Sequence, residues 1–303
     1  MKIHFSNVNF SSRTGPNSFA GRLANELTSR GHKIVTADED YEVFLAFIEP
    51  ASQPRPGSRF IQRLDGIWFK PEDFLPKNQV IKATFDACDH VIFQSEFDQQ
   101  MAFHHWGERE GSVIHNGIEI REPQLQVEWD LPDNGKMFIC SANWHPQKRL
   151  AENIRLYRQI RGLDDVLLIL GSNPATHLTN RTLGEFCLGS LDHEQCLALF
   201  KRADWMIHLA WLDHCPNVVI EAISQGCPVI CAADGGTKEL VAGGNGIVLP
   251  ELQEYKFQLT DYDNPPRVNM EGFALPALPV VNAERFNIQL VADKYEAVFR
   301  GDA

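Results

Sequence analysis

Two carboxylates flank the predicted start of one helix in the C-terminal half of the sequence. Asp213 follows the apolar run WMIHLA, Pro216 takes a favoured first-turn position, and Glu221 lies about one turn inside the helix. The first amides, among them those of Asn217 and Val218, have no partner within the helix and stand at the positive end of its dipole, so they suit a phosphate oxygen. Glu221 can then accept hydrogen bonds from a ribose diol, and Asp213 can hold sugar hydroxyls. These residue types at this spacing predict a nucleotide-sugar site.

The residues after this helix extend the pattern into a specific signature. Residues 205–241 resemble the signature of the retaining family 4 glycosyltransferases of GT-B fold, in which two acids separated by seven residues precede a run of small residues with Gly, Pro, Val and Ile and then a Gly-Gly turn. The matching positions are Asp213, Glu221, Gly226, Pro228, Val229, Ile230, Gly235, Gly236 and Glu239. Similarity to the family covers most of residues 90–250. The resemblance implies an enzyme that takes a sugar from a nucleoside diphosphate donor.

The segment CSANWHPQKRL, residues 140–150, resembles the phosphate-binding segment of the same family. Lys148 falls on the family's lysine, whereas Asn143 stands where an arginine is usual, so one cation is missing. Arg149 and Arg13 are the candidates for the second charge. A lone lysine is usually a solvated surface residue, but one between a strand and a helix is placed to face a phosphate. We therefore predict that Lys148 stabilises the leaving diphosphate.

The first acid of the signature departs from the family pattern. Asp213 replaces the usual Glu, which shortens the side chain by one C–C bond, about 1.5 Å, and His214, Cys215 and Pro216 replace a run of small residues. These differences bear on the sugar contact of Asp213, for which a helix cap is the alternative interpretation. They leave the nucleotide contact of Glu221 unaffected.

The nucleobase is contacted largely through backbone atoms in sites of this kind, as the resemblance implies. The segment EFCLGSL is where we expect that contact, with Gly189 and Leu191 as the candidate residues. The sequence does not distinguish uracil, guanine and adenine.

The N-terminal half supplies a second set of candidates. The run RTGPN resembles the family's glycine loop, with Gly15 near the donor phosphates and Arg13 toward the acceptor, although a plain loop is an equal interpretation. Arg63 and Asp65 lie between apolar residues and need partners; a cleft-facing pair with a catalytic Asp65 is favoured over a structural ion pair. Asn116 begins the run NGI, which resembles the turn that leads out of the family's N-terminal lobe.

Short apolar runs alternate with helical patterns throughout, which predicts an α/β fold with parallel sheets buried on both faces. The resemblance implies the GT-B form, two Rossmann-like domains facing a cleft with the C-terminal helix crossing back to the N-terminal domain. We predict an acceptor-side domain of residues 1–122 plus 284–303 and a donor-binding domain of residues 123–283. The aperiodic stretch 119–135 connects them.

Composition excludes several classes of partner. With 303 residues and a formal charge of −12, the chain repels nucleic acid and anionic lipid. No apolar run approaches 18 residues and no leader pattern follows Met1, so we expect no transmembrane segment. Seven scattered cysteines suit a reduced, cytoplasmic setting. The run DYD at 261–263 lies beyond the predicted sheet and is interpreted as a chance match to a metal motif, so neither a metal nor a cofactor is expected.

The resemblance implies a retaining transfer of a hexose-type sugar to a glycan or small-molecule acceptor, without an agreed protein nucleophile. The alternatives are a nucleotide-sugar 2-epimerase of the same architecture and a degenerate relative that binds nucleotide or carbohydrate without turnover. A nicotinamide dehydrogenase fits poorly, because the first strand leads into NFSSRTGPN and not into a glycine fingerprint.

Overall fold

The structure is a computed structural model that describes residues 1–12, 14–126 and 135–302. Two compact α/β units divide the chain. The N-terminal unit comprises Met1–Glu119, Phe257–Thr260 and Arg285–Ala303, and the C-terminal unit comprises Ile120–Lys256 and Asp261–Glu284. Each unit contains one six-stranded parallel sheet with helices around it. The predicted α/β class with two Rossmann-like halves is therefore confirmed.

The sheet of the N-terminal unit has the strand order β2-β1-β3-β4-β5-β6. Its strands are β1 (Lys2–Ser6), β2 (Lys33–Val35), β3 (Val43–Phe47), β4 (Arg59–Leu64), β5 (His90–Phe93) and β6 (Gly111–Val113). All neighbouring strands are parallel. The central strand β3 is buried at every position, as its uninterrupted apolar sequence VFLAF requires.

Three helices connect these strands. They are α1 (Gly15–Ser29), α2 (Pro71–Ala87) and α3 (Glu96–Trp106). Helix α2 carries Pro76 inside it and begins at Pro71. Pro71 suits a first turn, and Glu72 and Asp73 are favoured at the positive end of the helix dipole.

The sheet of the C-terminal unit has the strand order β12-β11-β10-β7-β8-β9. Its strands are β7 (Met137–Ser141), β8 (Val166–Leu170), β9 (Glu185–Gly189), β10 (Trp205–His208), β11 (Val229–Ala232) and β12 (Gly246–Leu249). Its helices are α4 (Leu150–Ile160), α5 (His193–Arg202), α6 (Asn217–Ser224) and α7 (Thr237–Val241). The chain runs outward from β7 to β9 and then returns to β10 beside β7, so the strand order reverses between β7 and β10.

The last helix, α8 (Ile288–Arg300), belongs to the N-terminal unit and packs beside α1. Its buried face includes Val291, Tyr295 and Phe299. The ring of Tyr295 lies 5.9 Å from that of Phe19 in α1. Among the helices of the described ranges, none has the length and apolarity needed to cross a membrane.

Two further parts of the chain bear on the predicted domains. The short segment Phe257–Thr260, which the sequence did not indicate, joins the N-terminal unit, where the Thr260 N–H donates to the Phe69 carbonyl at 2.9 Å. Part of the predicted connection between the halves, residues 127–134, lies outside the described residues, as does the candidate Arg13.

Candidate functional site

The loops after β7 and β10 adjoin at the carboxyl edge of the C-terminal sheet. They meet where the strand order reverses, which is where open α/β sheets form a ligand crevice. The Trp211 N–H donates to the Gln147 carbonyl at 2.8 Å, so the two loops are joined through their backbones. Lys148 ends the short 3-10 turn Pro146–Lys148 on one side of the crevice, and Asp213 lies on the other.

The crevice brings together three ionisable side chains. The Lys148 ammonium donates to Oδ2 of Asp213, and Nε2 of His208 lies 3.4 Å from the same oxygen. The side chains of Lys148 and Asp213 are 23% and 15% exposed, so their charges can still be reached from solvent. The contact between Lys148 and Asp213 could not be predicted from sequence spacing, because 65 positions separate the two residues.

The charge states in the crevice follow from burial and from this contact. Burial raises the pKa of the Asp213 carboxyl, but the Lys148 ammonium and the His208 imidazole outweigh it and hold that pKa well below its usual range. Burial lowers the pKa of His208, which Asp213 raises and Lys148 lowers. Burial also lowers the pKa of His214, to about 4. At neutral pH Asp213 is therefore ionised, and the imidazoles of His208 and of the adjacent His214 are neutral.

Asn153 fixes the backbone around Lys148. This buried side chain of α4 donates to the carbonyls of Lys148 and Arg149 at 3.1 and 2.8 Å, and its oxygen accepts the Leu209 N–H at 3.2 Å. The amide thus ties the turn after β7 to the end of β10. Three hydrogen bonds from one buried side chain leave the Lys148 backbone little freedom.

The Asp213 loop is held in turn by the loop after β11. Asp213 forms an isolated parallel bridge with Gly235, and the Gly236 N–H donates to the Asp213 carbonyl at 2.7 Å. Gly235 has a φ of +119°, and a Cβ there would lie 2.9 Å from the Asp213 carbonyl oxygen. The Gly-Gly turn of the signature therefore allows the close approach that places Asp213.

We expect Gly235→Ala to destabilise the protein by about 1–3 kcal/mol more than Gly226→Ala does. Both glycines have positive φ, but nothing lies within 4 Å of a Cβ at Gly226, so that variant reports the conformational cost alone. Urea-induced unfolding of both variants measures the difference. Equal losses of unfolding free energy would mean that the contact with Asp213 is not tight.

The helix after Asp213 begins where the sequence predicted it. Pro216 is the N-cap of α6 and offers no side-chain cap, and the first helical residues are Asn217 and Val218. Glu221 lies in the second turn with its side chain 12% exposed, and its carboxylate is 3.9 Å from Nδ1 of His193 at the start of α5. The N-terminal end of α6 therefore adjoins the Asp213 loop, as a phosphate site at that end requires.

The candidates Asn143, Gly189 and Leu191 lie further along the same carboxyl edge. Asn143 is exposed after β7, and its side-chain oxygen accepts a hydrogen bond from the Ser172 hydroxyl at 2.6 Å. Gly189 ends β9, and Leu191 is half-buried between β9 and α5. These three residues share the sheet edge with Lys148, but no hydrogen bond or ion pair joins them to it in the described part of the chain.

Arg149 is paired with a buried carboxylate of the C-terminal unit. Its guanidinium donates to both carboxylate oxygens of Glu251 at 2.8 and 3.0 Å, and the two side chains are 1% and 2% exposed. The residue adopts a left-handed backbone conformation, φ +51°, which turns it away from the direction of Lys148. In this structure the Arg149 charge is therefore buried and paired with Glu251.

The pair Arg63 and Asp65 is buried in the N-terminal unit. The Arg63 side chain is 1% exposed, donates to Asp65 and to the Asn116 amide oxygen, and lies over the rings of Phe19 and Phe47 at 4.6 and 5.1 Å. The carboxylate of Asp65 is thus engaged by a buried arginine. In the structure the two residues therefore form an ion pair within the N-terminal unit, and Asn116 is its third member.

Gly15 begins α1, after the loop that follows β1. In the first sheet the strand order reverses between β1 and β3, so Gly15 lies at the carboxyl edge near that reversal. The predicted glycine loop is therefore in a suitable place within its own unit.

The run DYD forms a local turn. The Asp261 carboxylate accepts the Asp263 N–H at 3.0 Å and the Asn264 side-chain amide at 2.9 Å. No cluster of three His, Cys, Asp or Glu side chains suited to a metal ion occurs in residues 1–12, 14–126 and 135–302.

Sequence reasoning missed His208, Asn153 and Glu251. The polar His208 at the end of the apolar strand WMIH was the available signal, since polar residues at carboxyl ends of parallel strands gather at ligand sites. No comparable signal existed for Asn153 and Glu251, which act through contacts between distant segments.

Comparison with known proteins gives the following likenesses. The family model described as glycosyl transferases group 1 matches residues 122–257. The fold is similar to that of HepE from Anabaena, solved with UDP and glucose (16% identity, TM-score 0.65, 99% of this chain and 100% of that chain). It is also similar to that of sucrose-phosphate synthase from Thermosynechococcus elongatus (14% identity, TM-score 0.71, 99% of this chain and 98% of that chain). A third similar structure is that of WaaG, a glycosyltransferase involved in lipopolysaccharide biosynthesis (11% identity, TM-score 0.59, 100% of this chain and 94% of that chain). No curated protein sequence matches the chain.

Proposed function

We propose that this chain is a retaining family 4 glycosyltransferase, and the match of residues 122–257 to the family model described as glycosyl transferases group 1 supports the proposal. In this proposal a hexose-type sugar moves from a nucleoside diphosphate donor to a glycan or small-molecule acceptor. The observation that carries it is the Lys148 ammonium beside Asp213 at the reversal of strand order, next to the start of α6.

The donor lies along the carboxyl edge of the C-terminal sheet. Its diphosphate rests against the first amides of α6 and against Lys148, and Glu221 accepts hydrogen bonds from the ribose. The base reaches toward Gly189 and Leu191 beyond β9. From β10 to β9 the edge spans three strand spacings, about 14 Å, a distance that an extended nucleoside diphosphate can bridge.

The chemistry is positioning and charge stabilisation. The bond between the anomeric carbon and the phosphate oxygen breaks, the acceptor oxygen bonds to the same face, and the acceptor's proton passes to the leaving phosphate. Lys148 and the α6 amides stabilise the negative charge that builds on the diphosphate. Asp213 holds sugar hydroxyls. The proposal needs no metal and no cofactor, so EDTA should leave the rate unchanged.

The two units divide the work in this proposal. The C-terminal unit binds the donor, and the N-terminal unit, with Gly15 and Arg13 at its glycine loop, faces the acceptor. We place the enzyme in the cytoplasm, a reducing compartment where its seven cysteines, all free thiols, stay reduced.

We expect UDP to raise the melting temperature. HepE has been solved with UDP and with UDP-glucose, so uridine donors are tested first, beside GDP, ADP and their sugars. A ligand at 100 times its dissociation constant stabilises the folded state by about 2.7 kcal/mol, which a thermal-shift assay detects. If none of the nucleotides shifts the melting temperature, the donor site is wrong.

Turnover assays then separate the related functions. Transfer that requires an added acceptor supports the glycosyltransferase, whereas conversion of the donor sugar without any acceptor indicates a 2-epimerase. Nucleotide binding with neither reaction indicates a degenerate binding protein.

A further inference from the structure

His208 occupies a buried position behind the Lys148–Asp213 pair. It is the last residue of β10, is 4% exposed, and presents Nε2 to Oδ2 of Asp213 at 3.4 Å. The Lys148 ammonium approaches the same oxygen. Asp213 therefore has one partner on the solvent-accessible side, a flexible ammonium, and one fixed on a sheet strand.

The charge on Asp213 determines the tautomer of His208. An ionised carboxylate only accepts hydrogen bonds, so the imidazole nitrogen facing it must carry the proton. His208 is then a neutral Nε2–H donor toward Asp213. A carboxylate and a rigid donor on a central strand form a fixed pair that does not depend on Lys148.

We propose that His208 is a positioning residue that keeps Asp213 in place when Lys148 leaves it to bind the diphosphate of the donor. This inference rests on the proposed function. Lys148 cannot give its full charge both to Asp213 and to a diphosphate, since the two anions compete for one ammonium. When Lys148 turns to the donor, the partly buried Asp213 needs another partner to remain ionised and oriented. His208 supplies it and so lowers the cost of releasing Lys148.

Two amide variants separate this role from mere packing. In His208→Gln the amide nitrogen lies as many bonds from Cβ as Nε2 of histidine, so a donor still reaches Asp213. In His208→Asn the amide is one carbon shorter and the donor does not reach. Neither variant introduces a bulky group into the strand, and urea-induced unfolding records the packing cost of each.

Calorimetric titration with UDP is the decisive measurement. We expect His208→Asn to raise the dissociation constant about tenfold and His208→Gln to stay within about threefold of wild type. In a Lys148→Met background the Asn substitution should have no further effect, because there is no ammonium to release. Equal weakening by Asn and Gln, or an Asn effect that persists without Lys148, would overturn the inference.

A ligand-free measurement keeps this test distinct from that of the proposed function. The imidazole nitrogen shifts of His208 by NMR should report the Nε2–H tautomer in the unliganded wild type. The Nδ1–H tautomer would overturn the inference whatever the protein binds. A wild type that binds no nucleotide would overturn the proposed function and the release of Lys148 with it.

Discussion

Replacing Lys148 by methionine is expected to lower kcat for sugar transfer about 100- to 1,000-fold, the range found when one charge-stabilising donor is removed from a preorganised site. Methionine keeps an unbranched apolar stem but no charge, so the leaving diphosphate loses its ammonium. The α6 amides remain and account for residual activity. Steady-state kinetics with saturating donor and acceptor measure the change.

The fold of the Lys148→Met variant should survive, because Asp213 keeps its hydrogen bond from His208. Lys201→Met is the matched control, since Lys201 lies in the same unit and its ion pair with Glu122 is exposed. Lys148→Arg retains a cation of different shape and should recover at least about tenfold over methionine. A methionine variant with near wild-type turnover, or a control that loses as much, would contradict the role of Lys148.

Local sequence patterns were enough to predict the elements that hold the site. Buried parallel strands appear as short apolar runs, and the proline before α6 marks its start, so the carboxyl ends of β7 and β10 could be located from the sequence. The signature around Asp213 and Glu221 lies at the same edge of the sheet. Such patterns are local, so they can be recognised without knowledge of tertiary contacts.

Side-chain direction could not be predicted in the same way. Lys148 and Arg149 are adjacent cations after the same strand, and the left-handed φ of Arg149 sends one toward the crevice and the other into the protein. In that conformation Arg149 pairs with Glu251, which lies 102 residues further along the chain. Likewise, the sequence showed that Arg63 and Asp65 need partners, but the aromatic rings that enclose Arg63 come from other elements.

Arg149→Met is expected to lower the free energy of unfolding by about 3–5 kcal/mol, the cost of leaving one member of a buried ion pair unpaired. The guanidinium binds Glu251 through two hydrogen bonds, donates to the Leu209 carbonyl at 3.3 Å, and lies 5.8 Å from the Trp211 ring. Urea-induced unfolding measures the loss. Lys201→Met, which removes an exposed ion pair, is again the control, and we expect it to change the free energy of unfolding by less than about 1 kcal/mol.

The pH dependence of that loss identifies Glu251 as its cause. Burial already raises the pKa of Glu251 above the usual 4.5, and Arg149 opposes that rise. Without Arg149 the folded-state pKa must rise further, so the protonated form is favoured in the folded variant. A carboxyl with a raised folded-state pKa contributes stability at low pH and loses it as pH rises through that pKa. The loss of unfolding free energy in Arg149→Met should therefore be larger at pH 8 than at pH 5.5. The double variant Arg149→Met with Glu251→Leu should recover most of that loss at both pH values. A deficit independent of pH, or one that the double variant keeps, would mean that Arg149 stabilises the unit by packing and not by neutralising Glu251.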